Sequence, residues 1–204
     1  MPKVAVLDYG IGNLRSAEKA LQHLGAKAKL TSSPSDISGA DAVVLPGVGN
    51  FGACMHALRG SGLEAVTLDA AHDHRPFLGI CVGMQMLFDG SDESPGVRGL
   101  GVVPGRITLL PRTERLPQMG WNTLTVRPGS KLMAGLPDPA WCYFVHSYAP
   151  EPADDGVVAA WCEYGREFAA AVERGPLWAT QFHPEKSGAV GLALLANFVE
   201  AAAA

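Results

Sequence analysis

Cys81 lies between Gly79 and Gly83, where a short apolar run changes into a pattern with helical spacing. A nucleophile on a sharp strand-to-helix turn needs a strained backbone, and small residues two positions before and after it prevent collisions. The N-terminus of the following helix favours a thiolate, and its amides, beginning with that of Val82, can face an oxyanion. A free cysteine is more often a small buried hydrophobic residue than a nucleophile. The nucleophile interpretation therefore requires a base that can take the proton of the thiol.

His183 is the histidine best placed to be that base, because it ends an apolar run and is followed by Pro184 and Glu185. In an extended segment, residues i and i+2 point the same way, so the Glu185 carboxylate can fix the tautomer of His183. A structural histidine capped by an acid is the alternative. His146 also ends an apolar run and stays open as a candidate. The remaining histidines lie in amphipathic or polar segments: His23, His56, His72 and His74.

The glycine-rich stretch from Gly47 to Gly52 follows an apolar run and satisfies the G-x-G-x-x-G pattern literally. A dinucleotide site would need this motif on the first strand, with an acid at the end of the next one. Here the motif belongs to the third strand, and Pro46 precedes it. We therefore favour a loop that brings the backbone N–H groups of Val48 and Gly49 close to a substrate, as an oxyanion hole requires.

Two kinds of pattern divide the chain and predict the elements that must position these residues. Apolar runs alternate with helical patterns in the first half, which predicts a parallel sheet flanked by helices. These runs are Lys3 to Asp8, Ala26 to Leu30, Ala42 to Leu45 and Pro76 to Ile80. After about Gly90, strand-like runs follow one another without helices, which predicts mostly antiparallel or mixed sheet. These runs are Thr123 to Val126, Trp141 to Val145, Val157 to Cys162, Phe168 to Val172 and Leu177 to Phe182. A C-terminal helix follows. Together these patterns predict an α/β fold with an open mixed, mostly parallel sheet, and the chain length predicts one domain spanning 1–204.

Composition narrows the class of protein. Of the 204 residues, 48% are hydrophobic and 18% are charged, which is typical of a compact enzyme and not of a disordered chain. A net charge of -4 gives no basic surface, so we expect no nucleic-acid partner. No apolar run approaches the roughly 20 residues that span a membrane, and no signal peptide is recognisable, so we expect a cytoplasmic protein with reduced cysteines. Zinc-type spacing of Cys and His is missing, which predicts no metal site.

The segments LPGVGNFG, GICVGMQ and FHPEKS, in this order, resemble the class I, triad-type glutamine amidotransferase family across nearly the whole chain. The resemblance implies a flavodoxin-like fold and a catalytic triad of Cys81, His183 and Glu185, working without a metal or an organic cofactor. It also implies an oxyanion hole at Val48, Gly49 and Val82, and glutamine binding at Gly47, Gly49, Gln85, Ser147 and Tyr148. Val82 stands where leucine is usual in the family, and we expect little consequence because the oxyanion would be bound by the backbone amide and not by the side chain.

Four segments, DYGIGNLRS, PGVG, RLPQMGWN and YFVHSY, are similar to one subgroup of that family. Its members pass ammonia from glutamine to a separate TIM-barrel cyclase subunit of imidazole glycerol-phosphate synthase, in histidine biosynthesis. This resemblance places the following residues on or near the docking face for the cyclase: Asn13, Met119, Trp121, Tyr143 and Lys186. By residue type alone, Trp121 and Tyr143 would more often be core aromatics.

Two alternatives remain beside this interpretation. The chain could serve a different synthase, such as that of vitamin B6 or anthranilate formation, although RLPQMGWN and YFVHSY favour the cyclase. It could also be a non-catalytic regulatory relative, against which the intact Cys81, His183 and Glu185 argue. The other cysteines are predicted to be core residues: Cys54, Cys142 and Cys162.

Overall fold

A computed structural model describes residues 1–11 and 14–204, so Asn13, which the resemblance assigns to the docking face, lies outside the described residues. The strands are β1 Lys3–Leu7, β2 Lys27–Thr31, β3 Ala42–Gly47, β4 Phe77–Cys81, β5 Gly90–Ser91, β6 Gly105–Leu109, β7 Gln118–Val126, β8 Ala140–His146, β9 Tyr148–Pro152, β10 Val158–Glu163, β11 Glu167–Arg174 and β12 Leu177–Thr180. The α-helices are α1 Leu14–His23, α2 Pro34–Ser38, α3 Phe51–Gly60, α4 Glu64–His72, α5 Val82–Gln85 and α6 Gly188–Ala201.

Among the described residues, nine strands form one sheet in the order β2-β1-β3-β4-β12-β11-β10-β7-β8. The strands from β2 to β12 in this order pair in parallel, whereas the remaining pairs are antiparallel. The parallel part has the 2-1-3-4-5 order of flavodoxin-like folds, in which ligands bind outside the carboxyl ends of the strands. The prediction of an open mixed sheet flanked by helices is confirmed.

A smaller sheet of β5, β6 and β9 lies beside the large one, and the sequence patterns did not predict it. Its strand β9 follows β8 after the single residue Ser147, so the segment YFVHSY is not one strand. The second half of the segment RLPQMGWN belongs to a strand, which the sequence patterns did not predict. β7 begins at Gln118 and pairs with β8 from Gln118 opposite His146 to Leu124 opposite Ala140. This pairing with a distant segment extends the strand over residues whose local pattern is weak.

The helices α1 and α6 bury apolar side chains that recur at helical spacing. In α1 the buried side chains are Leu14, Ala17 and Leu21, which recur at three- and four-residue intervals. In α6, Leu194 and Phe198 are buried. One hydrophobic cluster contains residues from both halves of the chain. This supports the single-domain organisation, which stays a prediction. None of the helices within 1–11 and 14–204 is long and apolar enough to cross a membrane.

Candidate active site

Cys81 is the last residue of β4 and adopts φ 55° and ψ -113°, a conformation that non-glycine residues rarely take. It is the one non-glycine residue with positive φ in the described part of the chain. β4 lies between β3 and β12 in the parallel part of the sheet, and α5 begins at the next residue, Val82. The predicted strand-to-helix turn therefore exists, and it holds the thiol at the carboxyl ends of three parallel strands.

The glycines around Cys81 are required because α5 packs directly against the neighbouring backbone. A Cβ atom on Gly83 would lie 1.8 Å from the carbonyl oxygen of Leu45 in β3. A Cβ atom on Gly47 would lie 2.7 Å from the amide nitrogen of Gly83, and one on Gly79 would lie 3.1 Å from the Gly83 carbonyl oxygen. The first two distances are shorter than real Cβ atoms show, so the turn requires glycine at positions 83 and 47, and the third leaves little room for a side chain at position 79.

The imidazole Nδ1 of His183 lies 2.8 Å from Oε1 of Glu185, and both side chains are almost fully buried. A carboxylate only accepts, so Nδ1–H donates to Glu185, and the other ring nitrogen is left free to act on the Cys81 thiol. The sequence-based prediction assumed that His183 and Glu185 lie in one continuous extended segment, and the structure differs from this prediction. His183 is extended, but Glu185 lies in the 3-10 helix Pro184–Lys186, which turns the carboxylate back toward the ring.

The protonation equilibrium of His183 favours the imidazolium. Burial lowers the pKa of His183, but its hydrogen bonds to Cys81 and Glu185 and the charges of these two groups outweigh burial and raise the pKa to about 9. An imidazole with this pKa can hold at neutral pH a proton that it accepts during the reaction. A thiolate facing an imidazolium is the reactive form of a cysteine nucleophile.

A cleft of about 470 Å³ opens above Cys81, a volume within the range of small-molecule sites. It brings together nearly all the residues predicted for catalysis, the oxyanion hole and substrate binding: Val48, Gly49, Cys81, Val82, Gln85, Ser147, Tyr148 and His183. Lys186, which was predicted for the partner interface, also lines the cleft. Gly47 and Glu185 do not line it, since Gly47 is buried in β3 and Glu185 contacts His183. Four lining residues had no predicted role in the cleft: Glu93, Pro117, Val145 and His146.

The predicted oxyanion loop is held by two buried side chains beneath it. The Tyr9 hydroxyl donates to the carbonyl oxygen of Pro46 at 2.6 Å, and the Cys54 thiol donates to that of Val48 at 3.3 Å. Burial, first of all, raises the pKa of Cys54, so this thiol keeps the proton that it donates. Both carbonyls that flank Gly47 are thus anchored on the core side. Cys54 is a core residue, as predicted, with a contact that the sequence pattern did not indicate.

An amide network underlies the predicted glutamine-binding residues. Nε2 of Gln85 donates to the carbonyl oxygen of Tyr148 at 3.0 Å and to Oε1 of Gln181 at 2.9 Å. Nε2 of Gln181 in turn lies 3.8 Å from Sγ of Cys81. No sequence pattern indicates a role for Gln181, although it stands two residues before His183.

His146 supports the cleft and is not poised to act as a base. Its Nδ1 lies 2.8 Å from the carbonyl oxygen of Tyr148, and its ring packs on Phe144 and Phe168. Burial is the largest cause that lowers the pKa of His146, to about 4, so the ring stays neutral at physiological pH. A neutral ring donates through Nδ1–H to the carbonyl and fixes the segment that carries Ser147 and Tyr148.

An exposed apolar face lies on β7 and β8, next to the cleft. The large apolar side chains exposed there are Met119 at 66%, Trp121 at 53% and Trp141 at 49%. Tyr143 is half-buried and its ring packs edge-on against Trp121. The expectation from residue type that Trp121 is a core aromatic is therefore wrong. Trp141 belongs to this face although no sequence pattern indicates it, and Asn13 lies outside the described residues.

The face on β7 and β8 is connected to the catalytic turn by hydrogen bonds. The His183 amide donates to the Tyr143 carbonyl at 3.0 Å, and the Tyr143 amide donates to the Ser187 hydroxyl at the same distance. Lys186, which lies between His183 and Ser187 in the sequence, is exposed. Across the described ranges, no group of three or more His, Cys, Asp and Glu side chains could hold a metal ion.

A nucleophile elbow, a buried histidine–glutamate pair and a flavodoxin-like strand order are the parts of an amide-cleaving cysteine enzyme. Residues 5–202 match the family described as glutamine amidotransferase class-I, and the chain belongs to this family. It is 52% identical over 202 residues to the imidazole glycerol phosphate synthase subunit HisH of Deinococcus radiodurans, covering 97% of this chain and 93% of that protein. It is 50% identical over 197 residues to the HisH subunit of Methanothermobacter thermautotrophicus, covering 97% of this chain and 98% of that protein.

Solved structures show the same fold at lower sequence identity. A crystal structure of a glutamine amidotransferase superposes with a TM-score of 0.77 at 24% identity, covering 98% of this chain and 99% of that one. The structure of PurLQS from Thermotoga maritima gives a TM-score of 0.75 at 18% identity, with 98% of both chains covered.

Proposed function

We propose that this chain is the glutaminase subunit of an imidazole glycerol phosphate synthase. It hydrolyses glutamine to glutamate and ammonia at Cys81 and supplies the ammonia to a TIM-barrel cyclase subunit in histidine biosynthesis. The observation that carries the proposal is the placement of a strained elbow cysteine beside the His183–Glu185 pair, in a cleft of suitable size for one amino acid.

The proposed reaction has two halves. His183 takes the proton of Cys81, the thiolate attacks the amide carbon of glutamine, and the backbone N–H groups of Val82 and of the Val48–Gly49 loop stabilise the oxyanion. The imidazolium then protonates the leaving nitrogen, and ammonia departs from the thioester. In the second half, His183 removes a proton from water, which attacks the thioester and releases glutamate and the Cys81 thiol.

Glutamine would be held through its α-amino and α-carboxylate groups at the rim of the cleft. Glu93 is an acid that lines the cleft, and its Oε2 also accepts from the Phe51 amide at 2.7 Å, which fixes the carboxylate at the start of α3. A fixed carboxylate suits the α-ammonium of an amino acid. Gln85, Ser147 and Tyr148 lie on the same cleft and are proposed to bind the rest of the substrate.

The proposal also identifies a partner, the TIM-barrel cyclase subunit. It is supported by the relatives at 50–52% identity, which are named as subunits of a synthase. It is also supported by the exposed face with Met119, Trp121 and Trp141, because a large apolar patch beside a cleft is typical of a protein-binding surface. A glutaminase for a different synthase is the second candidate, and no observation on this surface favours it. The cytoplasmic location remains a prediction from the sequence.

The first experiment tests the nucleophile. A glutamine-mimicking electrophile is added to the protein, and the labelled cysteine is mapped by mass spectrometry. We expect Cys81 to be labelled well before Cys54, Cys142 and Cys162, and Cys81→Ala to abolish glutamate release. First labelling at another cysteine, or glutaminase activity in Cys81→Ala with the cyclase present, would refute the proposed site.

The second experiment tests the partner. Product formation by the complex with the cyclase is measured with glutamine and, separately, with an ammonium salt. We expect Lys186→Ala to impair glutamine-driven turnover or the affinity for the cyclase and to leave ammonium-driven turnover unchanged. Lys27→Ala, an exposed lysine on β2 at the opposite edge of the sheet, is the matched control. If Lys186→Ala behaves like Lys27→Ala in both assays, Lys186 is an ordinary solvated lysine. If the cyclase forms no product with the unsubstituted chain and glutamine, the proposed partner is wrong.

A further inference from the structure

Gln181 is a fully buried amide beside the nucleophile. It directly follows β12, which pairs in parallel with β4 up to Thr180 opposite Ile80, so Gln181 and Cys81 come next at the carboxyl ends of the two strands. Burying a primary amide costs free energy unless its polar atoms are hydrogen-bonded. The partners of Gln181 therefore indicate why an amide, and not an apolar side chain, stands there.

The hydrogen bonds around Gln181 determine which way its amide faces. The carbonyl oxygen of Tyr148 can only accept, so the Gln85 atom 3.0 Å from it is Nε2, a donor. The same Nε2 lies 2.9 Å from the Gln181 amide, which must present its oxygen there. Nε2 of Gln181 then points to Cys81 Sγ, 3.8 Å away. The orientation follows from one obligate acceptor and does not depend on an arbitrary choice of amide rotamer.

We propose that Gln181 is a further catalytic residue, which donates a hydrogen bond from Nε2 to Sγ of Cys81 and stabilises the thiolate relative to the thiol. The inference rests on the proposed role of Cys81 as the nucleophile. A donor that points to the charged form of an acid favours this form, and a hydrogen bond to a charged group is stronger than one between neutral groups. In a buried site, the bond also replaces part of the water that a free thiolate would bind.

The arrangement gives the thiolate two donors of different kinds. His183 supplies a proton that moves during the reaction, whereas the Gln181 amide has none to give up and stays a donor throughout. When Sγ becomes part of the thioester it loses its charge, so the Gln181 bond weakens, and it strengthens again when the thiolate is released. The expected contribution of Gln181 therefore lies in the population of the reactive thiolate.

Two substitutions separate this role from a structural one. Gln181→Glu keeps an oxygen for the Gln85 amide and replaces the donor that faces Cys81 with a carboxylate oxygen. Gln181→Met has a similar length, removes the donor to Cys81 and also leaves a Gln85 N–H without its partner. Both variants lose the donor at the thiol, but only the methionine disturbs Gln85. Gln22→Met is the control, because Gln22 on α1 donates to the Ala28 carbonyl in β2 and does not line the cleft.

The measurement is the rate at which iodoacetamide alkylates Cys81 across a pH series without glutamine, read by mass mapping. In Gln181→Met, we expect the midpoint of the alkylation profile to rise by about one pH unit, with a roughly tenfold slower rate below the midpoint. In Gln181→Glu, we expect a larger rise where the carboxylate is ionised, because like charges repel. The difference from Gln181→Met should become smaller at acid pH, where the protonated carboxyl of Glu can donate a hydrogen bond to Cys81.

Steady-state kinetics give the second readout. The kcat for glutamine should fall in both variants, and KM in Gln181→Glu should stay within about twofold of the original, since the Gln85 and Tyr148 contacts persist. Alkylation profiles that superimpose on the unsubstituted protein in either variant, or a change in Gln22→Met as large as in Gln181→Met, would overturn the proposal. If Gln181→Met does not fold, Gln181→Glu decides alone. Failure of the proposed function is distinguishable, since in that case Cys81 of the unsubstituted protein is not the first cysteine modified.

Discussion

The thiol of Cys54 in α3 donates a hydrogen bond to the backbone carbonyl of Val48, 3.3 Å away in the predicted oxyanion loop. In a trans peptide, the carbonyl of one residue and the N–H of the next point in opposite directions. Because Cys54 lies in the core, its bond to Val48 directs the Gly49 N–H away from the core. Val48 and Gly49 line the cleft, so this orientation suits a donor for the oxyanion.

We therefore expect Cys54→Ala to lower kcat for glutamine by about tenfold, the order of one lost hydrogen bond, with little change in KM. Cys54→Ser retains a donor and should keep most of the activity. Cys162→Ala is the control, because this buried cysteine lies in β10 and does not contact the loop. Equal kinetics in Cys54→Ala and Cys162→Ala would mean that the thiol only fills space.

Gly83 provides a test of the elbow geometry. A Cβ atom at Gly83 would meet the Leu45 carbonyl oxygen at 1.8 Å, whereas one at Gly60, the last residue of α3, would meet nothing within 4 Å. We expect Gly83→Ala to lower the free energy of unfolding by about 3 kcal/mol or more, at the upper end of overpacking effects. Gly60→Ala should raise it by about 0.5–1 kcal/mol, because alanine is the better helix former. Urea unfolding of the two variants checks the opposite signs.

The sequence predicted the parts of the site that depend on short segments. Cys81 with its glycines is such a segment, and His183 with Glu185 is another, since each carries its chemistry within a few residues. The structure places both segments on one cleft, because β4 and β12 are neighbours in the sheet. The catalytic roles of these residues are part of the proposed function.

The contacts that the sequence missed join segments that are distant along the chain. Gln181 and Cys81 are 100 residues apart, and no local pattern indicates that one amide faces the other. For the same reason, the start of β7 at Gln118 could not be predicted, since it depends on pairing with β8. Residue type alone favours a buried Trp121, whereas the resemblance places it on the docking face, and it is exposed. Residue type misleads here because the exposed side of β7 and β8 depends on tertiary pairing.

His183 should titrate well above an ordinary histidine. We expect its imidazole to show a pKa of about 9 by NMR of the labelled protein, and Glu185→Gln to lower it, because the neutral amide no longer favours the imidazolium. Since the folded pKa lies above the unfolded value of about 6.5, the contribution of His183 to stability is complete below pH 6.5 and is lost as the pH rises through about 9. Urea unfolding between these two pH values should therefore show a smaller decrease in Glu185→Gln. An unchanged His183 pKa in this variant would contradict the assigned contact.

His146 should give the opposite pH dependence. Burial lowers its pKa to about 4, so between pH 4 and 6.5 the unfolded chain binds a proton that the folded protein excludes. Its contribution to stability is thus present above pH 6.5 and is lost as the pH falls through this window, by up to roughly 3 kcal/mol. His146→Gln removes this titration and can still donate to the Tyr148 carbonyl, so its unfolding free energy should decrease less on acidification. His72→Gln, at an exposed histidine of α4, is the control and should follow the unsubstituted protein. If His146→Gln loses as much stability on acidification as His72→Gln, then His146 is protonated in the folded protein and its assignment as a neutral donor to Tyr148 is wrong.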